Sequence, residues 1–152
     1  MTSIEYSVDD AVPDLPLDSI KRDVNTLLKE SVFSSFPTNS FISVAFVHDS
    51  LMKELNSEYR SINQSTDVLT FPIHEKIEST YLIGEIVLCC EEAKKDAAIL
   101  NISLQQEYMW LFTHGLLHLL GYDHHTEEEL KIMRQLENSL LEKLNPEWGG
   151  NY

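Results

Sequence analysis

The chain has 152 residues, 43% hydrophobic and 24% charged, the balance of an ordinary folded domain and not of a disordered, collagenous or linker-rich chain. Its 11 Lys and Arg against 25 Asp and Glu give a formal charge of −14, which repels phosphate and excludes broad, charge-driven binding of nucleic acid. A nucleic-acid substrate would need a locally basic site or a partner that supplies the attraction.

In chain order the pattern reads as strand, helix, strand, helix, strand, strand and three helices, within one domain spanning residues 1–152. Ile4, Tyr6 and Val8 alternate as a short strand. After Pro13 and Pro16, the residues Leu17, Ile20, Val24, Leu27 and Leu28 recur at helical spacing. Residues 41–47 (FISVAFV) are apolar on both faces, which predicts a strand covered on both sides. Asp49 or Ser50 is the expected cap of a helix carrying Leu51, Leu55 and Tyr59. The polar stretch 60–66 predicts a loop, 67–71 (DVLTF) a strand ended by Pro72, and 74–80 a polar connection.

Residues 81–90 give the longest strand and 91–100 a short helix. Ser103, three residues before Gln106, starts the next helix as a capping box. That helix, 104–120, is apolar on nearly every side from Tyr108 onward, so it is the expected central, buried helix. Gly121 fits its left-handed C-terminal cap. Thr126 with Glu129 caps the last helix, whose inner stripe reads Leu130, Met133, Leu136, Leu140 and Leu144. Asn145-Pro146 stops it, and the tail after about residue 146 is expected to fray. Strands mixed with helices around one buried helix make an α+β domain.

The N-terminal MTSIEYSVDD carries acids where a signal peptide needs basic residues, and no run approaches the roughly 20 apolar residues of a membrane span. The adjacent Cys89 and Cys90 read as small buried hydrophobes of a reducing compartment. These features predict a cytoplasmic protein with no membrane partner.

Chemistry concentrates in residues 114–125, HGLLHLLGYDHH. His114 and His118 lie one helical turn apart on one face, where two imidazoles can converge on a metal. Gly121 permits a reversal that brings His124 back as a third ligand, with His125 as its less favoured substitute. Two histidines in an apolar helix would otherwise each need a buried polar partner. Three nitrogens leave the fourth position of a tetrahedral ion open, as in catalytic zinc sites, where bound water reaches a pKa of about 7. Asp123 and Tyr122 can orient an imidazole, or Asp123 can simply hydrogen-bond its own turn. The spacing matches the metzincin pattern H-E-x-x-H-x-x-G-x-x-H, but Gly115 stands where those proteases carry their general base. Peptide hydrolysis therefore becomes the weaker alternative.

With Gly115 in place, HGLLHLLGYDH closely resembles the signature of the YbeY family of bacterial endoribonucleases, which process ribosomal RNA. LNSEYR at 55–60, STDVLTFP at 65–72 and IGEIVLC at 83–89 resemble that family's other blocks, in the same order. The resemblance covers about residues 51–137. It implies a zincin-like fold with one Zn2+ held by His114, His118 and His124, and a metal-dependent nuclease acting on single-stranded RNA. It also implies a role in small-subunit rRNA maturation and ribosome quality control, with Arg60 and His114 as catalytic residues and Arg60 also binding substrate. Two positions depart from the family pattern. Gln64-Ser65 replaces its usual Lys-Pro, removing one candidate phosphate contact, and Glu85 replaces its usual Asp. Neither is a metal ligand.

On position alone, Arg60 either grips a phosphate through two parallel hydrogen bonds or serves as a solvated cation at a helix C-terminus. Glu85 either faces the metal cleft as a base or lies on a solvated strand face. Thr66 and Asp67 either order the site or cap the strand. The resulting expectation is phosphodiester cleavage at the zinc, with Arg60 stabilising transition-state charge. A ribosome-associated zinc protein without turnover is the rival from another class, its metal closed off by His125 or a carboxylate. Contact with basic small-subunit ribosomal proteins would bring so acidic a chain to RNA.

Overall fold

Parallel strands must be joined through crossovers, and here helices supply them. The structure, a computed structural model, describes residues 2–12 and 15–150. Strands β1 (Thr2–Val8), β2 (Ser40–Val47), β3 (Val68–Ile77) and β4 (Thr80–Cys89) form one sheet in the order β1-β2-β4-β3. β1, β2 and β4 run parallel, and β3 is an antiparallel edge strand on β4. The helices are α1 (Leu17–Leu28), α2 (Asp49–Arg60), α3 (Cys90–Leu100), α4 (Leu104–Leu119) and α5 (Glu127–Leu144). The α+β class, the small mixed sheet, the five helices and the buried central helix all match the sequence expectation.

The two-sided strand pattern resolves into two cores. On one face Ile42, Val44 and Phe46 of β2 and Ile86 and Leu88 of β4 pack with Ile20 and Val24 of α1 and Phe112 and Leu116 of α4. On the other, Val47, Val87 and Cys89 pack with Leu69 and with Met52 of α2. The sheet is thus a buried layer between α2 and the remaining helices, and period-2 alternation sorts its side chains.

Helix α4 and the sheet meet through a glycine on each surface. A Cβ on Gly115 would stand 3.0 Å from Cδ1 of Ile86. A Cβ on Gly84 would stand 2.5 Å from both the Phe71 carbonyl oxygen and Cδ2 of Leu119. The position that carries the metzincin glutamate is therefore turned against β4, where an added side chain would press on Ile86.

Several local expectations need correction. β3 does not end at Pro72 but continues to Ile77, through a register shift between Pro72 and Glu75 where His74 takes φ 54°. An edge strand tolerates proline and a bulge, and this arm is exposed on both faces, so its sequence lacks the alternation of a covered strand. The cap of α2 is neither Asp49 nor Ser50: His48 is the N-cap residue, and the Glu91 carboxylate accepts the Asp49 backbone N–H at 3.0 Å. The stripe of α5 rotates away from Leu130, which is exposed, onto Met133, Glu137, Leu140 and Leu141. A short 3-10 turn at Ser31–Ser35, which buries Phe33, has no counterpart in the sequence reading. The tail expected to fray instead forms a 3-10 turn at Pro146–Trp148, with Trp148 packed on the larger core. Pro13 and the final residues 151–152 lie outside the described residues. Among the described residues, no helix is long and apolar enough to cross a membrane.

Candidate metal centre

The cleft is built from the C-terminal end of α4. Ser103 starts the helix by accepting the Gln106 backbone N–H at 3.1 Å, and the 16 residues of α4 carry it across the sheet. His114 and His118 emerge half-buried, one turn apart. The helix then closes with a Schellman motif, in which Tyr122 N–H donates to the Leu117 carbonyl and Gly121 N–H to that of His118. Gly121 takes φ 104°, which glycine adopts freely. The reversal lays His124 beside the pair, and one ligand atom from each of His114, His118 and His124 falls within 4.8 Å of the others.

The geometry of the rings suits a metal. Nε2 of His114 and Nε2 of His118 face each other at 3.1 Å. Two nitrogens bound to one tetrahedral zinc at 2.0–2.1 Å each would lie about 3.3 Å apart. On its far side, Nδ1 of His114 donates to Oε2 of Glu137 at 3.3 Å, and Glu137 is only 2% exposed. That bond places the proton on Nδ1 and turns the Nε2 lone pair into the cleft, as carboxylate partners of metal-binding histidines do. Trp110 stacks on the same imidazole, with centroids 5.4 Å apart. The His118 ring bonds the Tyr122 backbone. Burial first, and then the neighbouring His114 and His124, push the His118 pKa down, so its imidazole is held neutral and able to coordinate. The residues present therefore fit a divalent transition ion, with three nitrogen donors and a buried carboxylate behind one of them.

The remaining candidates separate clearly. Asp123 lines the cleft, but Oδ1 accepts the His124 backbone N–H at 2.8 Å and Oδ2 lies 2.8 Å from Nε2 of His125. It shapes the loop that presents His124 and touches none of the triad's rings by these bonds. The His124 amide is also the main reason its pKa lies below the usual carboxylate value. His125 points away into solvent, its side chain 78% exposed. Glu85 pairs with Phe71 on the α2 face of the sheet and forms no part of the cleft wall. Asp67 is drawn toward Asp96 instead, and burial followed by that carboxylate raises its pKa.

Arg60 is the last residue of α2 and lines the same cleft, of about 590 Å3, as His114, His118 and His124. It is the only Lys or Arg in that wall among the described residues. The chain leaves α2 through Ser61 at φ 57°, with Ile62 N–H donating to the Asn56 carbonyl. Buried Asn56 in turn donates from Nδ2 to the Gln64 carbonyl at 2.9 Å, which fixes the polar loop after the arginine. Sequence reasoning missed both Glu137 and Asn56. A glutamate in the apolar stripe between Met133 and Leu140 was the available signal for the first; a single buried asparagine in a helix gives almost none.

A family model described as Endoribonuclease YbeY matches residues 6–145. The chain belongs to the endoribonuclease YbeY family. A YbeY protein of Caldanaerobacter subterraneus is 43% identical over 115 residues, covering 68% of this chain and 73% of the relative. One from Desulforamulus reducens is 37% identical over 134 residues, covering 84% and 88%. The solution structure of TM1509 from Thermotoga maritima superposes with a TM-score of 0.64 at 27% identity, covering 97% of this chain and 91% of that one. The YbeY blocks at 55–60, 65–72 and 114–124 supply the walls of the cleft, which explains why motifs far apart in sequence share one site.

Proposed function

We propose that this chain is a zinc-dependent, cytoplasmic endoribonuclease that cuts single-stranded RNA in the maturation and quality control of the small ribosomal subunit. Family membership makes it an RNA-cleaving hydrolase with a metal cofactor. The convergence of three histidines and one arginine on a single cleft carries the reading. His114, His118 and His124 would hold the ion, and Glu137 would orient the first of them. When bound, such an ion supplies Lewis acidity toward a phosphoryl oxygen and lowers the pKa of coordinated water. Arg60 binds the scissile phosphate through its guanidinium fork and stabilises the charge that grows there during cleavage. The arginine is free for this role: no ion pair engages it among the described residues.

The turnover-free zinc protein loses support because His125 is directed to Asp123 and leaves three ligands, not four. The protease alternative loses support because Gly115 faces Ile86. Cleavage of an end-labelled single-stranded RNA, run beside Arg60→Ala and His114→Ala preparations, tests the proposal. Cleavage by the parent and loss in both variants is the expected result; equal cleavage by all three would trace the activity to a contaminant. The net charge of −14 suits delivery by a basic small-subunit ribosomal protein, and failure to associate with any ribosomal protein at physiological salt would remove that part.

A further inference from the structure

A nuclease with a single Lys or Arg in its cleft among the described residues and a net charge of −14 cannot draw its affinity for RNA mainly from such side chains. Something else must hold the strand, and the cleft wall shows what. Tyr59, immediately before Arg60, is 60% exposed. It lies across Phe71 of β3, with centroids 5.2 Å apart and planes at 65°. An edge-to-face contact fixes the ring while leaving at least one face of Tyr59 uncovered by Phe71. Both aromatics line the cleft that contains Arg60 and the histidine triad. Pro72 continues that wall from the edge strand.

We infer that Tyr59, braced by Phe71, is a base-stacking subsite that holds an unpaired nucleobase next to the phosphate gripped by Arg60. This rests on the nuclease reading and deepens it. Every nucleobase has a π-face, so the subsite is tolerant of sequence. A base must leave its helix to reach it, so duplex RNA is excluded by geometry and not by charge. Adjacent positions in the chain carry the two contacts: residue 59 takes the base and residue 60 the phosphate.

The test is steady-state cleavage of a short end-labelled single-stranded RNA by the metal-loaded protein and its Tyr59→Ala, Tyr59→Phe and Phe71→Leu variants, with metal content checked in each. Tyr59→Ala is expected to raise KM roughly tenfold or more while kcat stays within about twofold, the size expected for one lost stacking contact. Tyr59→Phe keeps the ring and is expected to match the parent. Phe71→Leu removes the brace and is expected to fall between. The salt dependence of KM should be shallow, with a log–log slope near 0.7, that of about one phosphate contact on a single strand. An unchanged KM in Tyr59→Ala, a Tyr59→Phe variant as impaired as the alanine, or a slope of several would overturn the inference. If the parent protein cleaves no RNA, the nuclease reading fails by itself. Stacking is then judged by fluorescence-anisotropy binding of the same RNA to the same four proteins, where equal affinities overturn it and selective loss in Tyr59→Ala sustains it.

Discussion

At its C-terminal end, helix α4 carries His114 and His118, each with a polar partner: the buried Glu137 carboxylate for one and the Tyr122 backbone for the other. Two turns earlier the same helix carries Glu107, 1% exposed, whose Oε2 has no hydrogen-bond partner and which feels the charges of Asp96 and Asp67. Both ends place ionisable groups in an apolar helix, yet their surroundings differ. At the first end the partners orient the rings, and burial together with the neighbouring His114 and His124 lowers the His118 pKa. At the second, burial and like charges raise the Glu107 pKa to about 7, so the carboxyl is partly protonated near neutrality. A buried polar group is therefore a sign of a built site only when its surroundings complement it.

The largest effect that would break this comparison is loss of a ligand. His118→Ala should leave a folded protein that retains no stoichiometric metal by elemental analysis and cleaves RNA at least 100-fold more slowly. Full metal content in the variant would separate the histidine cluster from metal binding. The next is Glu137→Gln, which keeps the shape but weakens the bond to Nδ1 of His114. Metal affinity should fall about 10–100-fold in a competition titration against a chelator. An unchanged affinity would reduce Glu137 to a packing residue.

Much of this site is legible in the chain because its key relation is local. A four-residue spacing, a glycine and a third histidine specify a helix face and its reversal without any knowledge of the sheet. Gly115 is legible as the absence of a base, but its cause, contact with Ile86, exists only once β4 is in place. Glu137 stands 23 residues from His114. The cap on Asp49 comes from Glu91, which packing alone brings near. The second half of β3 looks like a loop because solvent surrounds it on both faces, and alternation marks a strand only where one face is covered. Such long-range partners are supplied by tertiary structure, so local pattern cannot place them.

A third perturbation tests how closely α4 must lie on the sheet. Gly84→Ala would force a methyl against the backbone oxygen of Phe71, which cannot rotate aside as a side chain can. A loss of about 1–3 kcal/mol in denaturant-induced unfolding is expected, and an unchanged midpoint would mean that the helix shifts freely. A pH-dependent effect of similar size belongs to the other end of α4. The Glu107 pKa is about 7 in the fold against 4.5 for the free side chain, so between those values the native state binds more protons than the unfolded one. That contribution to stability is full below pH 4.5 and lost as pH rises through 7. Glu107→Gln removes the titration, so the variant should gain about 2 kcal/mol on the parent between pH 5 and pH 8. The difference between the two proteins isolates Glu107 from the opposite slope that His118 contributes. A flat difference across that range would show the carboxyl to be solvated.

The most direct test of the central claim is reconstitution. Protein stripped of metal with a chelator is titrated with Zn2+ while cleavage of an end-labelled single-stranded RNA and metal bound per chain are followed together. Cleavage absent from the stripped protein and restored in full as each chain takes up one ion is the predicted result. Full cleavage by the stripped protein, with no ion bound, would contradict the assignment of His114, His118 and His124 as the metal centre of this ribonuclease.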